Sequence, residues 1–152
     1  MREILFRGKR SDNGEWVEGY FCHCIRELNG GKTYLAIQQT DDNSLFFREV
    51  DHDTIGQYTG LTDKNGRKIF EGDVLKIEQI GNGLGDYYMP PLPYPVNVVV
   101  KWDLCAWTWE TLCEDKRYIR FFPDAWCHFR CEVIGNIHDN PDCVARMDGD
   151  EE

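Results

Sequence analysis

Two groups of sulfur and imidazole side chains, Cys22-His23-Cys24 and Cys127-His128-x-x-Cys131, are the first places in this chain where chemistry could be done. A structural zinc ion takes four ligands converging tetrahedrally, ordinarily from paired Cys-x-x-Cys knuckles. The spacings here are Cys-x-Cys and Cys-x-x-x-Cys, so Cys22, Cys24, Cys127 and Cys131 could hold zinc only if their segments meet in space. In a strand, Cys22 and Cys24 share one face and His23 points to the other. The simpler reading packs these thiols as small hydrophobes, and no cofactor is expected. Cysteine catalysis would need a base or a positive field beside the thiol. His23, His52, His128 and His138 are available, but no local signature joins any of them to a cysteine.

Carboxylates offer a second chemistry. Glu71, Asp73 and Asp103 could converge if the segments 74–80 and 96–102 form neighbouring strands, and would then suit a metal-dependent hydrolase or nuclease. Acidic residues at turns are, however, the common decoration of a β protein. The chain also lacks a His-Glu pair and a Gly-rich phosphate loop. Binding is the third possibility. Residues 81–95 hold four of the six prolines with three glycines, and Tyr87, Tyr88, Met89 and Tyr94 among them are types enriched at interface centres. Such a segment cannot pair in a central strand and reads as a long surface loop. Trp16, Trp102 and Trp107 are expected mostly in the core.

These residues sit in a chain of 152, about one domain long, with 27 acidic and 17 basic residues and a formal net charge of −10. That balance disfavours non-specific nucleic-acid binding, which needs a net basic face. A local patch at Arg7, Lys9 and Arg10, or an acidic surface mimicking DNA, keeps a regulator among the alternatives. No stretch of 18 apolar residues occurs and the opening MREILFRGKR has no signal-peptide core, so a cytoplasmic protein without membrane contact is expected. Seven cysteines, an odd number, agree with reduced thiols rather than a disulfide framework.

The elements that must position these residues are strands. Aromatics make up 13% of the chain, which suits half-buried sheet surfaces. Asn13-Gly14, Asn29-Gly30 and Asn65-Gly66 are hairpin-turn signals between apolar or alternating stretches. Alternation predicts strands over 16–25, 33–38, 74–80, 96–102 and 132–137. In the first of these Trp16, Glu18, Tyr20, Cys22 and Cys24 share one side, with Val17, Phe21 and Ile25 on the other. Residues 104–122 read as two short strands, and a short helix could follow Pro123. Asn65-Gly66 supplies a left-handed pair for a hairpin over 63–67. Glu71-Gly72-Asp73 then breaks the return strand, Asp73 bonding nearby backbone N–H groups. Gly135-Asn136 marks a bulge or turn.

The stretch YTGLTDKNGRKIFEGDVLK over 58–76 resembles the central signature of the YopX family. Phe6-Arg7-Gly8-Lys9, Trp16-Val17-Glu18-Gly19-Tyr20, Glu132-Val133-Ile134-Gly135-Asn136-Ile137 and Asp139-Asn140-Pro141 fit the same family in the same order. The resemblance implies a phage or prophage origin, a mainly β fold (possibly classed α+β) with a small SH3-like barrel core, and homo-oligomeric assembly. It brings no catalytic residue with it. The 81–95 loop and the cysteine load lie outside the family pattern. The expected protein is one domain over 1–145 with an acidic tail over 146–152. It binds itself or a host or phage protein, and Asn65, Gly66, Glu71, Gly72, Asp73, Gly135 and Asn136 serve its fold.

Overall fold

The computed structural model describes residues 3–26, 32–39, 46–79, 96–103, 106–112, 118–120 and 129–141. The chain comprises two compact units, Met1–Gly60 and Leu61–Glu152. Both are mainly β, and the strand pairings among the described residues are antiparallel.

The first unit is built on the alternation of its longest strand. β1 (Phe6–Lys9) and β2 (Trp16–Arg26) form a hairpin around Asn13-Gly14. Gly14 takes φ 73°, which only glycine adopts at little cost, and the Glu15 N–H bonds the Asn13 Oδ1 at 3.0 Å. β3 (Lys32–Gln39) and β4 (Phe47–Glu49) extend the sheet on one side and β5 (Gly56–Thr62) on the other, giving the order β4-β3-β2-β1-β5. Val17, Ile37 and Val50 are buried together on one face, with Phe6, Leu35 and Ile55 against them. The ends of β1 and β4 also meet. Arg10 bridges Val50, the Ser11 N–H donates to the Glu49 carbonyl at 3.0 Å, and the Asp51 N–H donates to that of Lys9 at 2.9 Å. The sheet thus curls over its core, but one bridge replaces a ladder and no complete barrel closes. The mainly β fold with a small antiparallel core is as the sequence predicts, and the SH3-like barrel is corrected only in its closure, the described strands forming a curled sheet.

The second unit holds β6 (Lys68–Phe70), β7 (Asp73–Gln79), β8 (Val96–Asp103), β9 (Ala106–Thr111), β10 (Tyr118–Arg120) and β11 (Phe129–Asn136). Five of them form an open sheet in the order β10-β9-β8-β7-β11. Its buried face gathers Leu75, Ile77, Val98, Val100, Trp107, Trp109, Cys131 and Val133, and Ile69 of β6 joins the same cluster. The alternation Trp107-Thr108-Trp109 does make a strand, as the sequence predicts, and β10 is the second short one. Trp107 is buried, but Trp102, its cross-strand partner, stays 47% exposed with the rings 4.8 Å apart. It lies one residue from the end of β8. The Asn29-Gly30 turn and the helix after Pro123 fall outside the described residues. A short 3-10 turn, His52–Thr54, is the one helical element among them.

Gly19 explains one opening motif. A Cβ there would sit 1.9 Å from the Gln38 carbonyl oxygen, a backbone atom that cannot step aside without moving β3. Gly19→Ala should therefore cost about 2–4 kcal/mol in urea unfolding. Gly14→Ala, strained in φ but facing open space, should cost only about 1 kcal/mol.

Candidate functional site

Four places hold the residues that could act: two hydrogen-bonded knots in the second unit, the thiols, and one face of the first unit's sheet. The first knot forms around Asp63, which opens the turn between β5 and β6. Its carbonyl accepts the Gly66 N–H at 3.0 Å and its own N–H donates to the Arg67 carbonyl at 2.8 Å, with Gly66 at φ 80°. The buried carboxylate does more. Oδ1 accepts the N–H groups of Asn65 (2.8 Å) and Arg67 (2.9 Å), and Oδ2 accepts that of Val133 on β11 (3.1 Å). The next residue continues the contact, the Lys64 N–H donating to the Cys131 carbonyl at 3.0 Å and its ammonium pairing with Glu132 at 2.7 Å. β11 ends the sheet order, so these outward-facing groups have no neighbouring strand in it. Asp63 and Lys64 stand in for one.

The second knot ties the Glu71-Gly72-Asp73 bend to the end of β11. Asp73 is fully buried; Oδ2 accepts the Phe70 N–H at 2.8 Å and Oδ1 accepts the Asn136 amide at 3.3 Å. Asn136 in turn accepts the His138 N–H on its side-chain oxygen at 2.9 Å, while its carbonyl accepts the N–H groups of Asp139 and Asn140. Gly72, at φ 80°, donates to the Val100 carbonyl and accepts the Ile137 N–H, both at 2.9 Å. The register between β7 and β11 slips at Ile134, which bulges outward, and a Cβ on Gly135 would meet the Asn140 Oδ1 at 2.6 Å. Every residue of the Glu-Gly-Asp and Gly-Asn motifs thus has a bonding or steric role here. Glu71 accepts the Trp102 N–H at 3.4 Å, and Asp103 ends β8. Of the three acids considered for hydrolysis, Asp73 already has both oxygens engaged within the protein.

The thiols divide between the units. Cys22 and Cys24 lie on one face of β2, half-buried, with their sulfurs 3.8 Å apart, while Cys131 is buried in β11. Burial, then the neighbouring Cys24, pushes the Cys22 thiol up to about 11. Burial, then the Asp63 charge, pushes Cys131 up to about 12. Near neutral pH both are protonated, the opposite of an activated nucleophile. Among the described residues no group of three or more His, Cys, Asp and Glu side chains is placed to hold a metal ion. Cys127, Tyr87, Tyr88, Met89 and Tyr94 lie outside the described residues.

The face of the first sheet that carries Cys22 is the feature the sequence reading passed over. Tyr20, Gln38 and Phe47 are register partners across β2, β3 and β4, and Tyr20 and Phe47 are 52% and 46% exposed. Trp16 shares this face, with the Arg7 guanidinium 4.6 Å and the Lys9 ammonium 5.5 Å from its ring centre. Arg10 instead pairs with Asp12 and Glu15. The alternation of β2 already placed Trp16 and Tyr20 together; the sequence held no sign that Phe47 would join them.

Asp63→Asn tests the first knot. Loss of the charged acceptor should cost about 1–3 kcal/mol. Burial alone would raise this carboxyl, but the N–H groups of Arg67, Val133 and Asn65, with the Arg67 charge, outweigh it and hold it below its ordinary value. A lowered folded value means stabilisation that is complete above the unfolded carboxyl's titration and lost as pH falls through the folded one. Stability measured by urea midpoint should therefore fall below about pH 4 in the wild type and less steeply in Asp63→Asn.

The sequence profile of the YopX protein family matches residues 5–145. No curated protein matches the chain. Among solved structures, the crystal structure of protein EF1440 from Enterococcus faecalis is 20% identical, with the alignment covering 95% of this chain and 99% of that one at a TM-score of 0.44. Among the described residues no helix is long and apolar enough to cross a membrane.

Proposed function

The chain belongs to the YopX family, and we propose that it works as a non-catalytic protein-binding module that first of all binds copies of itself. The observation that carries this reading is the exposed row Tyr20–Gln38–Phe47, with Trp16 on the same face. Large aromatic side chains left in water on a regular sheet are what an interface core is made of. With strands about 4.8 Å apart, Tyr20 and Phe47 lie about 10 Å from each other, the scale of an interface centre. Glu18 and Glu49 lie on the same face as Arg7 and Lys9, so it has no single sign of charge for tracking phosphates. A protein surface is the better match. Closed homo-oligomers are the most frequent assemblies, and a two-fold axis over this row would set aromatics against aromatics. A phage or prophage setting, with a host or phage protein as a further partner, is compatible with the family. The hydrolase reading is weaker because Asp73 cannot leave its knot without unfolding the bend.

Sedimentation of the wild type and of a Tyr20→Ser, Phe47→Ser double variant tests the proposal. The wild type should associate with rising concentration, and the double variant should dimerise at least about tenfold more weakly, a loss of about 1.4 kcal/mol or more. A wild type that stays monomeric, or a variant that associates equally well, would overturn it.

A further inference from the structure

Cys22 and Cys24 take part in neither knot, and the interface proposal does not need them. We propose that they form a two-thiolate site for a soft, thiophilic d10 metal ion, with the remaining coordination positions open. Their sulfurs stand 3.8 Å apart on one face of a single strand. Two sulfurs bound tetrahedrally at about 2.3 Å from one ion are separated by about 3.8 Å. The ion can therefore be gripped with no movement of the strand. The pairing that places the thiols is firm, because Cys22 and Cys24 sit within an eight-residue register with β3.

Positions of both charge signs flank the thiols, since the basic register pair Arg26 and Lys32 follows Cys24 on this face and carboxylates lie on the side of Cys22. Cys22 lies opposite Ala36, a small residue, and Ala36 lies opposite Glu49, so the row carries a carboxylate on the same face. Glu18 is on that face of β2 as well, while the Arg7 and Lys9 cations lie over Trp16. Besides its contact with Cys24, the Cys22 thiol donates to the Ala36 carbonyl at 3.4 Å, a weak bond that a metal bond would replace. His23 projects to the opposite face, beside Phe21, and cannot be a third ligand. Water, a small thiol or a ligand from another molecule would complete the shell. Thiolates select soft ions over magnesium or calcium. As each metal–sulfur bond forms, the S–H bond breaks and its proton passes to water, so no electron changes hands. A disulfide fits less well, since the sulfurs would have to close from 3.8 Å to about 2.05 Å across residues of one extended strand.

Cadmium ion added to the reduced full chain is the probe, with two readouts. The thiolate-to-cadmium absorption band in the ultraviolet gives the equivalents bound. Peptide mass mapping after iodoacetamide gives the protection of each cysteine. The expected result is that one equivalent disappears in Cys22→Ser and in Cys24→Ser but not in Cys131→Ser. In the wild type the alkylation of Cys22 and Cys24 should slow together by at least about tenfold. If a serine variant fails to fold by near-ultraviolet circular dichroism, the wild-type protection decides alone. Unequal or absent protection of the two cysteines, or an unchanged number of equivalents in a folded Cys22→Ser, Cys24→Ser double variant, would overturn the proposal.

Discussion

A carboxylate taken out of water must find donors, and in the second unit that requirement organises the structure. Asp63 meets it with three backbone N–H groups, two in its own turn and one on β11. A side chain thereby does the work of a strand. It fixes the hairpin and at the same time satisfies the outer edge of the sheet, which would otherwise offer free backbone groups to other chains. The Lys64 contacts to Cys131 and Glu132 extend the same edge seal by one residue.

Asp73 solves the same problem differently. It reaches back three residues to the Phe70 N–H and across the sheet to Asn136, so one buried acid holds both the bend that begins β7 and the turn that ends β11. The two knots meet β11 three residues apart, at Val133 and Asn136, on either side of the ladder's slip at Ile134. A bulge needs such support, because the extra residue leaves part of the ladder unpaired. The polar residues most typical of this chain are therefore spent on shape. That is why carboxylates that might have suggested hydrolysis, and buried thiols that might have suggested a nucleophile, lack the freedom such roles require.

What remains unspent lies in the first unit. Its core is a short list, Val17, Ile37 and Val50 with their neighbours, and the opposite face of its sheet keeps aromatics and two thiols at or near the surface. A small unit can bury only a limited share of its apolar surface. The surplus here is not scattered but aligned in rows, Tyr20 with Gln38 and Phe47, and Cys22 with Ala36 and Glu49. Interface and metal proposals both start from that alignment.

Local chemistry was open to reading in the amino-acid order. Period-two alternation located β2, β3, β7, β8 and β11, because a side chain's face in a strand depends only on parity. Asn-Gly and Glu-Gly-Asp marked turns, because left-handed backbone and short polar side chains act over a few residues. The strands β1 and β4 are too brief to show a period, and β5, though as long as β7, does not alternate, since its apolar Tyr58 and Leu61 fall on opposite parities. What only the tertiary structure decided is which distant residues share a partner. Asp63 finding Val133 spans 70 positions, and Asp73 finding Asn136 spans 63. Phe47 joining Tyr20 likewise depends on the order in which strands line up. Register between strands is set by the packing of the whole sheet, and no short window of sequence contains it.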